Sequence, residues 1–139
     1  MIRKAAIISI SGFILTDQEI KIFKQEKPWG VMLFKRNISS EKQLKKLTTS
    51  IKETMKDYYY PILVDEEGGR VTRFSNFLNN NTYNQKYFGN IYKIDQKIGL
   101  SIYKNYIDSI SIYLRKLGIN INTSPVLDLH SKKTHKIIG

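Results

Sequence analysis

Residues 64 to 74 read Val-Asp-Glu-Glu-Gly-Gly-Arg-Val-Thr-Arg-Phe, where an apolar approach runs into three carboxylates, two glycines and two arginines. A carboxylate emerging at a strand end, as Asp65 would, can accept hydrogen bonds from two adjacent hydroxyls of a sugar ring. Gly68 and Gly69 permit backbone conformations and close approaches that other residues do not. Arg70 and Arg73 carry planar forks able to orient these carboxylates or to reach an anionic or hydroxylated ligand. A solvated acidic turn, neutralised by its own arginines, is the plain alternative. Spacing alone does not separate the two.

Two further strand ends carry polar groups, Phe34-Lys35-Arg36-Asn37 and Val126-Leu127-Asp128. Asp128 is followed by His130 and His135, which raises the question of a metal. Zinc sites want three or four well-placed ligands, and this set falls short. No metal site and no cofactor are expected. The chain has 9 tyrosines that could stack on sugars or bases. At helical spacing, as in Tyr103 and Tyr106, a core or helix-surface role is the expected one.

The elements that must hold these groups alternate in period. Lys4 to Ile10 reads as a first strand. Thr16 and Glu19 have the spacing of a capping box, followed by a short helical face of Ile20 and Phe23 that Pro28 ends. Trp29 to Phe34 is nearly all apolar, as in a strand buried on both faces. Ser40 and Gln43 suggest a second capping box. Leu44, Leu47, Ile51 and Met55 then mark one face of a helix. Tyr58 to Val64 is a third strand, with Pro61 placing the start of the strand proper. A long polar loop from Asp65 to Asn90 follows. One long amphipathic helix is expected from Ile91 to Leu117, stopped by Gly118, and a fourth strand from Ile119 to Leu127. This alternation implies parallel βαβ units.

Bulk properties bound the partners. Lys and Arg number 23 against 12 Asp and Glu, a net charge of +11. The lysines are scattered, with the densest group at Lys132, Lys133 and Lys136, which is a weaker footprint than a clustered basic stripe. No nucleic-acid partner is expected. Cysteine is absent, which excludes disulfides and thiolate metal sites. No segment approaches the ~20 apolar residues of a membrane span. The amino-terminal apolar run is too short for a signal peptide. A cytoplasmic location, with no membrane partner, is the expectation.

Three blocks carry a family resemblance. The segment from Val64 to Phe74 resembles a strand followed by D-Q-E-G-G-R-V-x-R-F/L. Gly30 to Asn37 (GVMLFKRN) is similar to G-x-I-L-F-x-R-N. Leu117 to Asp128 (LGININTSPVLD) is similar to L-G-I-N-x-N-x-A-P-V-L-D. Together, and in this order, they resemble the amino-terminal domain of glycoside hydrolase family 3, of the bacterial β-N-acetylhexosaminidase type. The resemblance implies the amino-terminal half of a TIM-type (β/α)₈ barrel, with about four parallel strands and three helices, since a complete barrel takes about 250 residues. Residues 1–139 would form one partial barrel domain.

The resemblance also implies roles. Asp65 stands where the family binds hydroxyls of a non-reducing N-acetylglucosamine, and Arg73 where an arginine supports that subsite. Arg36, Asn37 and Asp128 match positions read as architectural. Glu66 replaces the commoner glutamine, which adds a like charge beside Asp65 that would raise one carboxyl pKa if the two came close. The implied activity is removal of terminal β-linked N-acetylglucosamine from peptidoglycan-type fragments, by a retaining mechanism with an aspartate nucleophile and a histidine acid/base. The implied partner is a saccharide containing that sugar. The family's nucleophile and acid/base lie beyond the position matched by Ile138-Gly139. The sequence is therefore expected to be truncated, with no catalytic residue and no turnover of its own. A separate chain carrying the second barrel half is a further candidate partner. The rival readings are an inactive remnant or split-gene product, and a basic module for RNA or an anionic surface.

Overall fold

The computed structural model describes residues 2–127. Four strands, β1 (Lys4–Ser9), β2 (Pro28–Leu33), β3 (Ile62–Val64) and β4 (Ile121–Asn122), form one sheet in the order β1-β2-β3-β4. Every pair is parallel, with Val31 opposite Ile62 and Val64 opposite Asn122. Helices α1 (Asp17–Glu26), α2 (Glu41–Met55), α3 (Gln85–Ile94) and α4 (Gln96–Lys116) fill the connections. The parallel βαβ succession expected from the alternating periods is present.

The local rules explain most boundaries. Thr16 caps α1: its Oγ1 accepts from the Glu19 N–H at 3.2 Å, and Glu19 accepts from the Thr16 N–H at 2.8 Å. The box expected at Ser40 forms only by half. Ser40 accepts from the Gln43 N–H, but the Gln43 carbonyl accepts from Ser39, while its NH₂ group donates to the carbonyls of Phe13 and Asn37. Gln43 thus joins α2 to the loop before α1. The predicted α2 face of Leu44, Leu47, Ile51 and Met55 is buried, with Thr48 beside it.

The core lies between the helices and the middle of the sheet. Val31 and Leu33 of β2 and Ile62 and Val64 of β3 pack in one cluster with Phe23, the α2 face, Phe74, Ile110, Leu114 and Leu117. By contrast β1 is largely exposed, with Ile7 49% accessible.

The expected single helix from Ile91 to Leu117 is two helices, so the connections hold four helices rather than three. Asp95 is extended (φ −148°, ψ 115°), and its Oδ1 accepts from the Ile98 N–H at 2.9 Å. A short acidic side chain competes well for the free N–H groups of a helix start, and here it starts α4. The apolar spacing of Ile91, Ile94 and Ile98 runs through the break unchanged, so periodicity does not reveal it. Gly99 lets the helices touch, because a Cβ there would lie 2.6 Å from Tyr92 Cα. α3 also begins inside the segment expected to be loop, capped by Asn84. The fourth strand is shorter than expected, two residues in place of nine. No helix among the described residues is long and apolar enough to cross a membrane.

Gly118 ends α4 with φ +84°, and a Cβ added there would strike the Thr48 side chain. Thr48 itself donates to the Leu117 carbonyl at 2.9 Å. Gly118→Ala combines a disfavoured backbone with a collision in the core. It is expected to lower stability by roughly 1–3 kcal/mol, read as a lower urea midpoint with an unchanged slope.

Candidate functional site

The site forms where β3 ends. Past Val64 the ladder is continued by side chains of the neighbouring strand. Asn122 Oδ1 accepts from the Glu66 N–H at 2.9 Å, and its Nδ2 donates to the Glu66 carbonyl at 3.0 Å. Asn120 does the same at the other end, accepting from the Ile62 N–H at 2.8 Å and donating to the Tyr60 carbonyl at 3.0 Å. The side-chain amides of Asn120 and Asn122 therefore fix the backbone at both ends of β3.

After Glu66 the chain doubles back. The Glu67 N–H donates to the Val71 carbonyl at 3.0 Å, and Gly68 bridges Val71. Gly68 and Gly69 take φ values of +78° and +63°, and a Cβ on Gly68 would collide with the Tyr83 carbonyl. Only glycine fits such a turn pressed against backbone. The Gly69 N–H donates to the Asn80 carbonyl at 3.0 Å, which seats the turn on the segment before α3.

This reversal brings Arg73 back to Asp65. Arg73 donates to Asp65 Oδ2 at 2.7 Å, and the Thr123 hydroxyl donates to Oδ1 at 2.6 Å. The two charged side chains are 27% (Asp65) and 21% (Arg73) accessible, so the pair is sheltered but reachable. The Arg73 guanidinium also lies 5.9 Å from the centre of the Phe34 ring. Its buried Nε has no hydrogen-bond partner among the described residues. Burial alone would raise the Asp65 carboxyl. The hydrogen bonds from Thr123 and Arg73, with the Arg73 charge, outweigh it and hold Asp65 below the usual carboxylate range.

Glu66, expected to perturb Asp65 by its like charge, is instead buried in a network of its own. It is 2% accessible. Its Oε1 accepts from Thr72 Oγ1 at 2.9 Å and from Asn80 Nδ2 at 2.8 Å, while Oε2 accepts from the Arg73 N–H at 2.6 Å. Asn80 also hydrogen-bonds the Tyr106 hydroxyl at 2.8 Å. The shift on Asp65 is downward, and Glu66 is not among its causes. The sequence reading did not single out Thr123, Asn80 or Asn122. The alternation Asn120-Ile121-Asn122 was the available signal, since amides flanking a buried strand residue can pair with the next strand.

Beside the pair an open cleft of about 700 Å³ is lined by Lys35, Gly69, Arg70, Thr72, Arg73 and Asn84. Arg36 and Asn37 do not line it. Arg36 donates to the Ile10 carbonyl at 3.1 Å and to Ser9 Oγ at 2.5 Å. Asn37 donates to the carbonyls of Ile10 and Gly12 at 3.1 and 2.9 Å. Both tie the end of β2 to the chain after β1. Asp128, His130 and His135 lie outside the described residues. Among the described residues no three carboxylate or imidazole groups cluster as a metal-ligand set. A second cleft of about 600 Å³ runs along α2 to its end and to the last turn of α4, where Lys52, Lys56, Arg115 and Lys116 outnumber Glu53 and Asp57. Helix C-termini favour nearby cations, which accounts for that basic character without a ligand.

The comparisons with known proteins bear on this geometry. No protein-family model matches the chain. A β-hexosaminidase of Chromobacterium violaceum is 31% identical over 127 residues, which is 91% of this chain and 35% of the relative. NagZ from Neisseria gonorrhoeae, solved with N-trifluoroacetyl-D-glucosamine, matches with a TM-score of 0.75 and 31% identity, over 91% of this chain and 37% of that one. A glycoside hydrolase family 3 β-N-acetylglucosaminidase from Paenibacillus matches with a TM-score of 0.70 and 26% identity, over 88% of this chain and 23% of that one. The chain spans about a third of the length of the curated relatives it matches. Its four parallel strands and their helices are the amino-terminal part of a TIM-type barrel, as the motifs implied. Over about nine-tenths of its length the chain is homologous to β-hexosaminidases, and its structural neighbours include NagZ and a glycoside hydrolase family 3 enzyme.

Proposed function

We propose that residues 1–139 form a partial barrel domain that supplies the sugar-binding wall of a retaining β-N-acetylhexosaminidase. Its substrate is a terminal, non-reducing, β-linked N-acetylglucosamine on peptidoglycan-type fragments, met in the cytoplasm. The observation that carries the reading is the Asp65 carboxylate, ionised and aimed by Arg73 and Thr123 at the carboxyl end of a barrel strand. Active sites of such barrels are built at that end. Each Asp65 oxygen holds one donor in the structure and keeps capacity for another. Two neighbouring ring hydroxyls can use that capacity, and Arg73 keeps the charge in place while they do.

A retaining glycosidase needs a nucleophile on one face of the sugar and an acid/base on the other. The resemblance assigns both to segments past the matched third of the relatives. The residues present here are therefore proposed to bind and orient the sugar, and not to break its bond. Among the described residues β1 and β4 each pair on one side only. This supports a ring completed by further β/α units, on a separate chain where these 139 residues act as their own polypeptide.

Asp65→Ala is expected to abolish N-acetylglucosamine binding by calorimetry while leaving a cooperative melt. Purified chain is expected to leave a chromogenic β-N-acetylglucosaminide intact. Turnover that survives repurification and disappears in Asp65→Ala would overturn the division of labour. Acid gives a further check. A carboxyl held low in the folded state stays ionised below the ordinary value of about 3.9. Sugar affinity and the stability drawn from the pair should thus be complete above that value and fall as pH drops through the lower folded one. In Asp65→Asn the stability difference from the parent should shrink over the same acid range.

A further inference from the structure

Among the described residues, Glu66 is the one buried carboxylate, 2% accessible, that the sugar-binding reading does not use. Its three donors are neutral groups: a threonine hydroxyl, an asparagine amide and the peptide N–H of Arg73. The last of these is the informative one. It fixes the backbone from which the Arg73 side chain departs, seven residues along a loop that has no ladder of its own beyond one bridge. The Glu66 backbone is held in turn by both ends of the Asn122 amide. One rigid path therefore runs from β4 through Glu66 to Arg73, and a second runs from β4 through Thr123 to Asp65. The two paths meet at the 2.7 Å contact between Arg73 and Asp65.

We infer that Glu66 is a positioning residue: its buried carboxylate, by accepting the Arg73 peptide N–H, sets where the guanidinium meets Asp65. The inference rests on the reading of Asp65 as the hydroxyl-binding group. A purely stabilising carboxylate would hold the loop to the core and leave the pair to find its own geometry. Glu66 reaches the pair directly, through the backbone of one member. The commoner glutamine at this position keeps one carbonyl oxygen, enough for the Arg73 N–H, while its NH₂ group can be received by the Thr72 hydroxyl or a turned Asn80 amide. Alanine keeps neither.

The test follows the Asp65 carboxyl by NMR titration and N-acetylglucosamine binding in parallel, on the full chain. In Glu66→Ala the Asp65 pKa is expected to rise toward the ordinary value of about 3.9, and sugar affinity to fall about tenfold or more. Glu66→Gln is expected to restore both. A cooperative Glu66→Ala melt with unchanged Asp65 titration would overturn the inference, whatever the loss of melting temperature. If the parent chain binds no sugar, the proposed function falls, while the titration still decides the role of Glu66. If Glu66→Ala does not melt cooperatively, amide exchange in the parent decides. An Arg73 N–H as slow as those of β3 supports the inference, and one as fast as an exposed loop amide overturns it.

Discussion

The structure turns on how the backbone is satisfied where β3 runs out. A three-residue strand buried on both faces cannot leave its flanking N–H and carbonyl groups unpaired. Asn120 and Asn122 meet that demand with side-chain amides that imitate one more step of strand on either side. Asp65 is thereby freed to point away from the ladder. Its neighbour Glu66 is turned inward, and the alternation of a strand is carried one step beyond the strand itself.

Burying Glu66 costs several kcal/mol in lost hydration. Three hydrogen bonds offset that cost and use both carboxylate oxygens as acceptors. Arg73 is treated differently. It remains partly open, stacked beside Phe34 and paired with Asp65, with Nε left over. The interior carboxylate is closed off from solvent and the outer pair stays partly open to it.

Much of this was legible in the sequence, for local reasons. The α2 face and the strand at Val31 to Leu33 follow from apolar spacing, and the turn at Gly68-Gly69 from glycine's freedom. Asp65 and Arg73 stood out because they follow a strand in a short motif, and the structure does bring them together. What was missed is non-local or disguised. The break at Asp95 is hidden because the isoleucines keep helical spacing across it. Ile94 and Ile98, which the spacing places on a buried face, are exposed. Gln43 abandons its cap because Ser39, Phe13 and Asn37 compete for its amide. Thr123 and Asn122 reach the site from residues 58 and 56 positions away in the chain, a distance no spacing rule covers.

That separation carries an entropic cost. Neighbouring helices close little chain between them, whereas the β3–β4 seam closes a loop that contains both α3 and α4 and costs more chain entropy. The Asp65–Thr123 hydrogen bond straddles this seam, the carboxylate leaving the end of β3 and the hydroxyl the end of β4. An intact Asp65–Thr123 contact therefore reports that the chain from β3 to β4, with α3 and α4 between them, has been closed into one loop.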